Sequence, residues 1–204
     1  MSERVHAMVA NAHGDIDYVR AALAEDATLA NAARDWGDGD WESALGAAGH
    51  TVHAPDLYDG TTFETIEEGM AHAEELGFPT GIVARGRAAA DSLPADVYYV
   101  GFSMGALPAQ SLAQTKPGAR GLVLAYGALP LGRWGDDWPA EWPEGVALQL
   151  HSTEGDEDVE VMQGLAATVP GAELFLYPGP DHLFAERDDR QRDLLLRRVL
   201  DFLG

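Results

Sequence analysis

The chain has 204 residues, 46% of them hydrophobic, which is enough for one substantial core but leaves a second independent domain small. Its 34 acidic and 13 basic residues give a net charge of -21, which repels phosphate backbones and anionic headgroups and makes nucleic acid and membrane surfaces poor partners. Cysteine is absent, so a disulfide framework, a thiolate metal site and a cysteine nucleophile are excluded.

Residues 1–49 contain Ala-rich stretches of helical character and no convincing buried strand. Helices are expected over residues 4–12, 15–25 and 40–48, with Asp15 and Asp40 placed as N-caps. The run HGDIDYVRAALAEDATLANA resembles, over a short span, half of an ankyrin-type helical repeat. The start MSERVHAMVANAHGD lacks the apolar h-region of a signal peptide, and no apolar run approaches the roughly 20 residues that span a bilayer. The expected location is the cytoplasm. The chain therefore reads as a helical segment, residues 1–49, followed by a domain over residues 50–204.

In that domain short apolar runs alternate with segments of helical period, the pattern of a mostly parallel sheet flanked by helices. TVHAP (51–55) is expected to be its first strand, followed by helices over residues 63–76 and 81–93. DVYYVGF (96–102) reads as a strand and residues 104–114 as the helix after it. GLVLAYG (121–127) and GVALQLH (145–151) read as buried central strands, and ELFLYPG (173–179) as the last strand. Residues 188–203 close the chain as a helix with an apolar stripe of Leu194, Leu195, Val199 and Phe202. The Trp- and Pro-rich stretch between residues 129 and 144 is irregular. Its Trp134 and Trp138 either line a substrate pocket or fold onto the surface to cover the core.

Gly101-Phe102-Ser103-Met104-Gly105 satisfies G-x-S-x-G between a strand and a helix, the context in which the motif has meaning. Small residues at Gly101 and Gly105 would let strand and helix approach at a strained turn. Ser103 would then project at a helix N-terminus, where the Met104 N–H can stabilise an oxyanion. The plainer reading is that Ser103 caps the helix. A serine hydroxyl needs a base, and the order serine, acid, histidine selects His182 in YPGPDHLF. His6, His13, His50, His53 and His72 precede the serine, and His151 precedes the acid. The orienting acid is sought in HSTEGDEDVE. Asp156 is preferred because it lies far enough past His151 to turn back; Asp158 is the runner-up, with an N-cap role as its alternative.

From about residue 50 to 204 the chain resembles the dienelactone hydrolase family, a branch of the α/β-hydrolases. The resemblance rests on APDLYDG, GFSMGALPAQ, LQLHSTEGDED and ELFLYPGPDHLF. It implies an α/β-hydrolase fold, a Ser103–His182–Asp156 triad with serine in the place of the cysteine of the enzymes that named the family, and ester or lactone hydrolysis without metal or cofactor. Family members usually begin with a strand and loop that supply a second oxyanion donor; here the helical segment takes that place, unless VHAMVANAHG is a strand ending at His13 and Gly14. Two alternatives follow: a weak or inactive hydrolase fold that binds partners through its N-terminal helices, and strand exchange between two chains, which would make a homodimer.

Overall fold

The computed structural model describes residues 34–35, 41–42, 49–132 and 138–204. Contacts divide the chain into two units, one containing Pro55–His182 and the other Leu183–Gly204 together with the N-terminal residues up to Ala54.

In the second of these units, β1 (Arg34–Asp35) pairs antiparallel with β2 (Trp41–Glu42). Trp41 and Glu42 are therefore paired backbone where a helix over residues 40–48 is expected. The other two expected N-terminal helices lie outside the described residues. Residues 51–55 form no strand, and Val52 is 39% exposed. Val and Thr favour β structure only where a neighbouring strand and a buried face reward them, and this segment is exposed.

Within Pro55–His182, α1 (Ile66–Glu75) starts three residues later than its apolar period suggests, because Thr65 and Glu68 form a reciprocal capping box. It is followed by α2 (Thr80–Ala89) and a short 3-10 turn (Ala90–Ser92). Then come β3 (Tyr98–Phe102), α3 (Ala106–Thr115), β4 (Gly121–Ala125), β5 (Ala147–Thr153), α4 (Val159–Thr168) and β6 (Glu173–Tyr177). The four strands make one parallel sheet in the order β3-β4-β5-β6, in the register Phe102, Ala125, His151, Phe175. Leu122, Leu124, Leu148 and Leu150 form the core with Ala106, Ala109, Leu112 and Ala113 of α3 and Met162 and Leu165 of α4. Such packing accounts for the near-continuous apolar runs of the central strands.

Gln149 and His151 break that apolar pattern yet are buried, because they satisfy each other. Gln149 donates its amide to Glu173 Oε2 (3.0 Å) and its oxygen faces His151 Nε2 (2.9 Å), while His151 Nδ1 meets the Tyr177 hydroxyl at 2.9 Å. A neutral imidazole that donates from Nε2 and accepts at Nδ1 leaves no polar atom of the ring unpaired.

In Leu183–Gly204, α5 (Phe184–Arg187) precedes α6 (Asp189–Leu203), which is capped by Asp188 accepting from the Arg190 and Gln191 amides. Leu195 and Val199 of the expected stripe are buried, whereas Leu194 points outward. No helix among the described residues is long and apolar enough to cross a membrane.

Candidate active site

Parallel pairing brings the carboxyl ends of β3, β5 and β6 to one edge of the sheet, and Ser103, Asp156 and His182 follow those ends. At the end of β3 the chain passes through a 3-10 turn (Ser103–Gly105) into α3, with Ser103 at φ +48°. That left-handed conformation costs a non-glycine residue about 1–2 kcal/mol and is held only where the surroundings enforce it. The enforcing contact is at Gly101. A Cβ there would lie 2.6 Å from the Gly105 carbonyl oxygen and 2.7 Å from Ala106 Cα, so only glycine lets α3 cross this close to β3. The expectation that Gly105 is needed for the same reason fails, because a Cβ there meets nothing within 4 Å and its φ is an ordinary -65°.

Ser103 Oγ lies 3.1 Å from His182 Nε2, and His182 Nδ1 lies 2.8 Å from Asp156 Oδ2. The Asp156 side chain is 1% exposed and His182 35%. The second Asp156 oxygen accepts the Asp158 N–H at 2.8 Å, so the carboxylate is anchored from both sides. The loops carrying acid and histidine are tied together as well. Glu154 N–H donates to Tyr177 O (3.0 Å), Gly155 N–H to Gly179 O (3.2 Å), and Thr153 Oγ1 to Asp181 O (3.4 Å).

This geometry fixes the tautomer: Nδ1–H donates to Asp156 and the Nε2 lone pair faces the serine hydroxyl. A serine capping the helix would instead use Oγ on a backbone amide, and Ser103 Oγ is on the imidazole. Asp156, Asp158 and His182 also lie close enough to suggest a cation cluster. In the tautomer above, Nδ1 carries the proton given to Asp156 and the Nε2 lone pair accepts from the serine hydroxyl.

Asp158 occupies the position before α4 but caps nothing with its side chain. Burial, followed by the charges of Asp156 and Glu157, raises its carboxyl above the usual aspartate range, while His182 pulls it the other way.

Two tyrosines escaped the sequence reading. Tyr126, directly after β4, is buried with φ +67°, and its ring centroid lies 5.7 Å from that of His182 and 6.0 Å from that of the half-exposed Phe102. Only its place beside Gly127 at a strand end could have signalled it. Tyr58 of the APDLYDG loop reaches Gly69 O (3.2 Å) and Met104 Sδ (3.5 Å) with its hydroxyl, which burial shifts to a higher pKa. Asp56 shapes that loop by accepting the Tyr58 and Gly60 amides, and Arg85 holds it through Leu57 O (3.3 Å) and Asp59 (2.8 Å).

Met104 lies in the first turn after β3, where backbone N–H groups have no partner one turn back in the helix. Trp134, His13 and Gly14 lie outside the described residues. Trp138 is 6% exposed, and its neighbour Pro139 accepts from Gln114 near the far end of α3. Gln114 is roughly 16 Å along the helix from Ser103. The burial of Trp138 fits the core-covering reading.

A parallel sheet flanked by helices, with a strained serine on the strand-to-helix turn, is the α/β-hydrolase arrangement. The chain belongs to the dienelactone hydrolase family, whose family model matches residues 40–202, and is a hydrolase by that membership. No curated protein matches the chain significantly.

Proposed function

We propose that this protein is a serine hydrolase that cleaves a small ester or lactone. The observation that carries the reading is the unbroken hydrogen-bond chain from Ser103 Oγ through His182 to the buried Asp156. His182 Nε2 takes the hydroxyl proton as Oγ bonds to the carbonyl carbon, and the carbonyl π pair moves onto oxygen beside the Met104 N–H. The imidazolium then gives that proton to the leaving alkoxide as the C–O bond breaks. Water repeats the sequence on the acyl-enzyme. Asp156 keeps the ring in the working tautomer and stabilises its charge. No step needs a metal or cofactor. The half-exposed Phe102, next to Ser103 in the chain, offers apolar surface, which suits an ester with an apolar part, and the net charge of -21 suits a neutral small molecule in the cytoplasm.

The test compares hydrolysis of short p-nitrophenyl esters by wild type and Ser103→Ala. Removing the hydroxyl is expected to lower kcat about 10⁴-fold or more. Equal turnover by the two proteins would reject the mechanism.

A further inference from the structure

The Asp156–His182 pair has a second carboxylate beside it. Asp156, Asp158 and His182 each present one oxygen or nitrogen atom, all within 4.8 Å of one another. Asp156 is engaged at both oxygens. Asp158 stands before α4, where an aspartate ordinarily caps the helix, yet its side chain accepts no such bond. It lies instead over Gly127, where an added Cβ would be 3.5 Å from Asp158 Oδ2 and 3.6 Å from the Ser103 carbonyl oxygen. A half-buried carboxylate beside a like charge is unfavourable unless a positive charge appears next to it, and burial and Asp156 do push its carboxyl upward. The one group in this cluster that gains positive charge is the His182 ring.

We propose that Asp158 is a positioning residue for His182, a second carboxylate that shares with Asp156 the charge the imidazole acquires when it takes the serine proton. The proposal rests on the reading of Ser103 and His182 given above. Among the described residues, the titratable groups near the ring are Asp156 and Asp158 from the loop after β5, Asp181 beside it in the chain, and Tyr126 after β4, while Glu157 acts on Asp158.

The experiment follows the His182 ring protons by NMR against pH in wild type and Asp158→Asn, with kcat/KM on a p-nitrophenyl ester measured in parallel. A carboxylate about 5 Å away, at effective dielectric constants of about 20–80, moves such a titration by roughly half a pH unit to two. In Asp158→Asn both the NMR midpoint and the acid limb of the rate profile are expected to move down by at least about half a pH unit. The double variant Asp156→Asn/Asp158→Asn is expected to fall at least about tenfold below Asp156→Asn in kcat, with KM little changed. An NMR midpoint that does not move in folded Asp158→Asn overturns the proposal. Ser103→Ala on the same ester separates the two readings: retained turnover rejects the serine mechanism, whereas lost turnover with an unmoved midpoint rejects only the part given to Asp158.

Discussion

At the carboxyl end of β3 the backbone is pressed into place by sterics, whereas at the ends of β5 and β6 two loops are held by hydrogen bonds to each other. Ser103 keeps its φ of +48° because α3 crosses so close to Gly101 that no side chain fits between them. Asp156 and His182 owe their positions to the Glu154, Gly155 and Thr153 bonds that join their loops. Close packing tolerates little change. A set of exchangeable hydrogen bonds can lose one member and survive, so the Ser103 side of the site is expected to be brittle and the Asp156–His182 side adjustable.

The largest effect should come from breaking the link between the two sides. His182→Ala is expected to lower kcat on a p-nitrophenyl ester about as far as Ser103→Ala, and the double variant no further, because the two residues act as one unit. Additive losses in the three rate measurements would mean that the residues act separately.

Next in size is the test of brittleness. Gly101→Ala would put a methyl group 2.6–2.8 Å from Gly105 O, Ala106 Cα and Ala109 Cβ. It is expected to cost about 3 kcal/mol, or a Tm fall of about 6–12 °C. Gly105→Ala, with open space around it, should change stability by less than about 0.5 kcal/mol. Equal Tm values for the two variants in calorimetry would remove the steric account of the turn.

The smallest effect sharpens the adjustable side. The Asp158 carboxyl is raised by burial and by Asp156, so the fold disfavours its ionised form. Wild type therefore loses stability as pH rises from the ordinary aspartate range through the raised value, and Asp158→Asn does not. Asp158→Asn is expected to melt a few degrees or less above wild type at pH 7, because solvent screens a half-exposed group. The gap should close below about pH 4. A lower Tm at pH 7 would contradict that sign.

Much of this organisation is legible in the sequence. GLVLAYG and GVALQLH contain the buried parts of β4 and β5, Gly121–Ala125 and residues 148–151, whose Leu122, Leu124, Leu148 and Leu150 pack with the helices. G-x-S-x-G pointed to Ser103 because a strand precedes it and a helix follows. Chain order and loop position selected His182 and favoured Asp156 over Asp158, and His182 and Asp156 lie in hydrogen-bond contact. What escaped the sequence depends on tertiary partners. TVHAP has strand composition but no strand beside it. Tyr126 adopts a left-handed conformation that glycine, asparagine or aspartate would have advertised and tyrosine does not. The letters leave Trp138 open between lining a pocket and covering the core; in the fold it is buried, and the neighbouring Pro139 accepts from Gln114 of α3. The Thr65–Glu68 capping box was present in the letters and would have placed the start of α1 correctly.

The most direct test of the central claim is labelling of the folded protein by a fluorophosphonate, with the modified residue located by peptide mass spectrometry. It needs no knowledge of the substrate and reads the activation of one hydroxyl. The account predicts modification at Ser103 in wild type and its loss in His182→Ala. An unlabelled Ser103, or equal labelling with and without the imidazole, would contradict it.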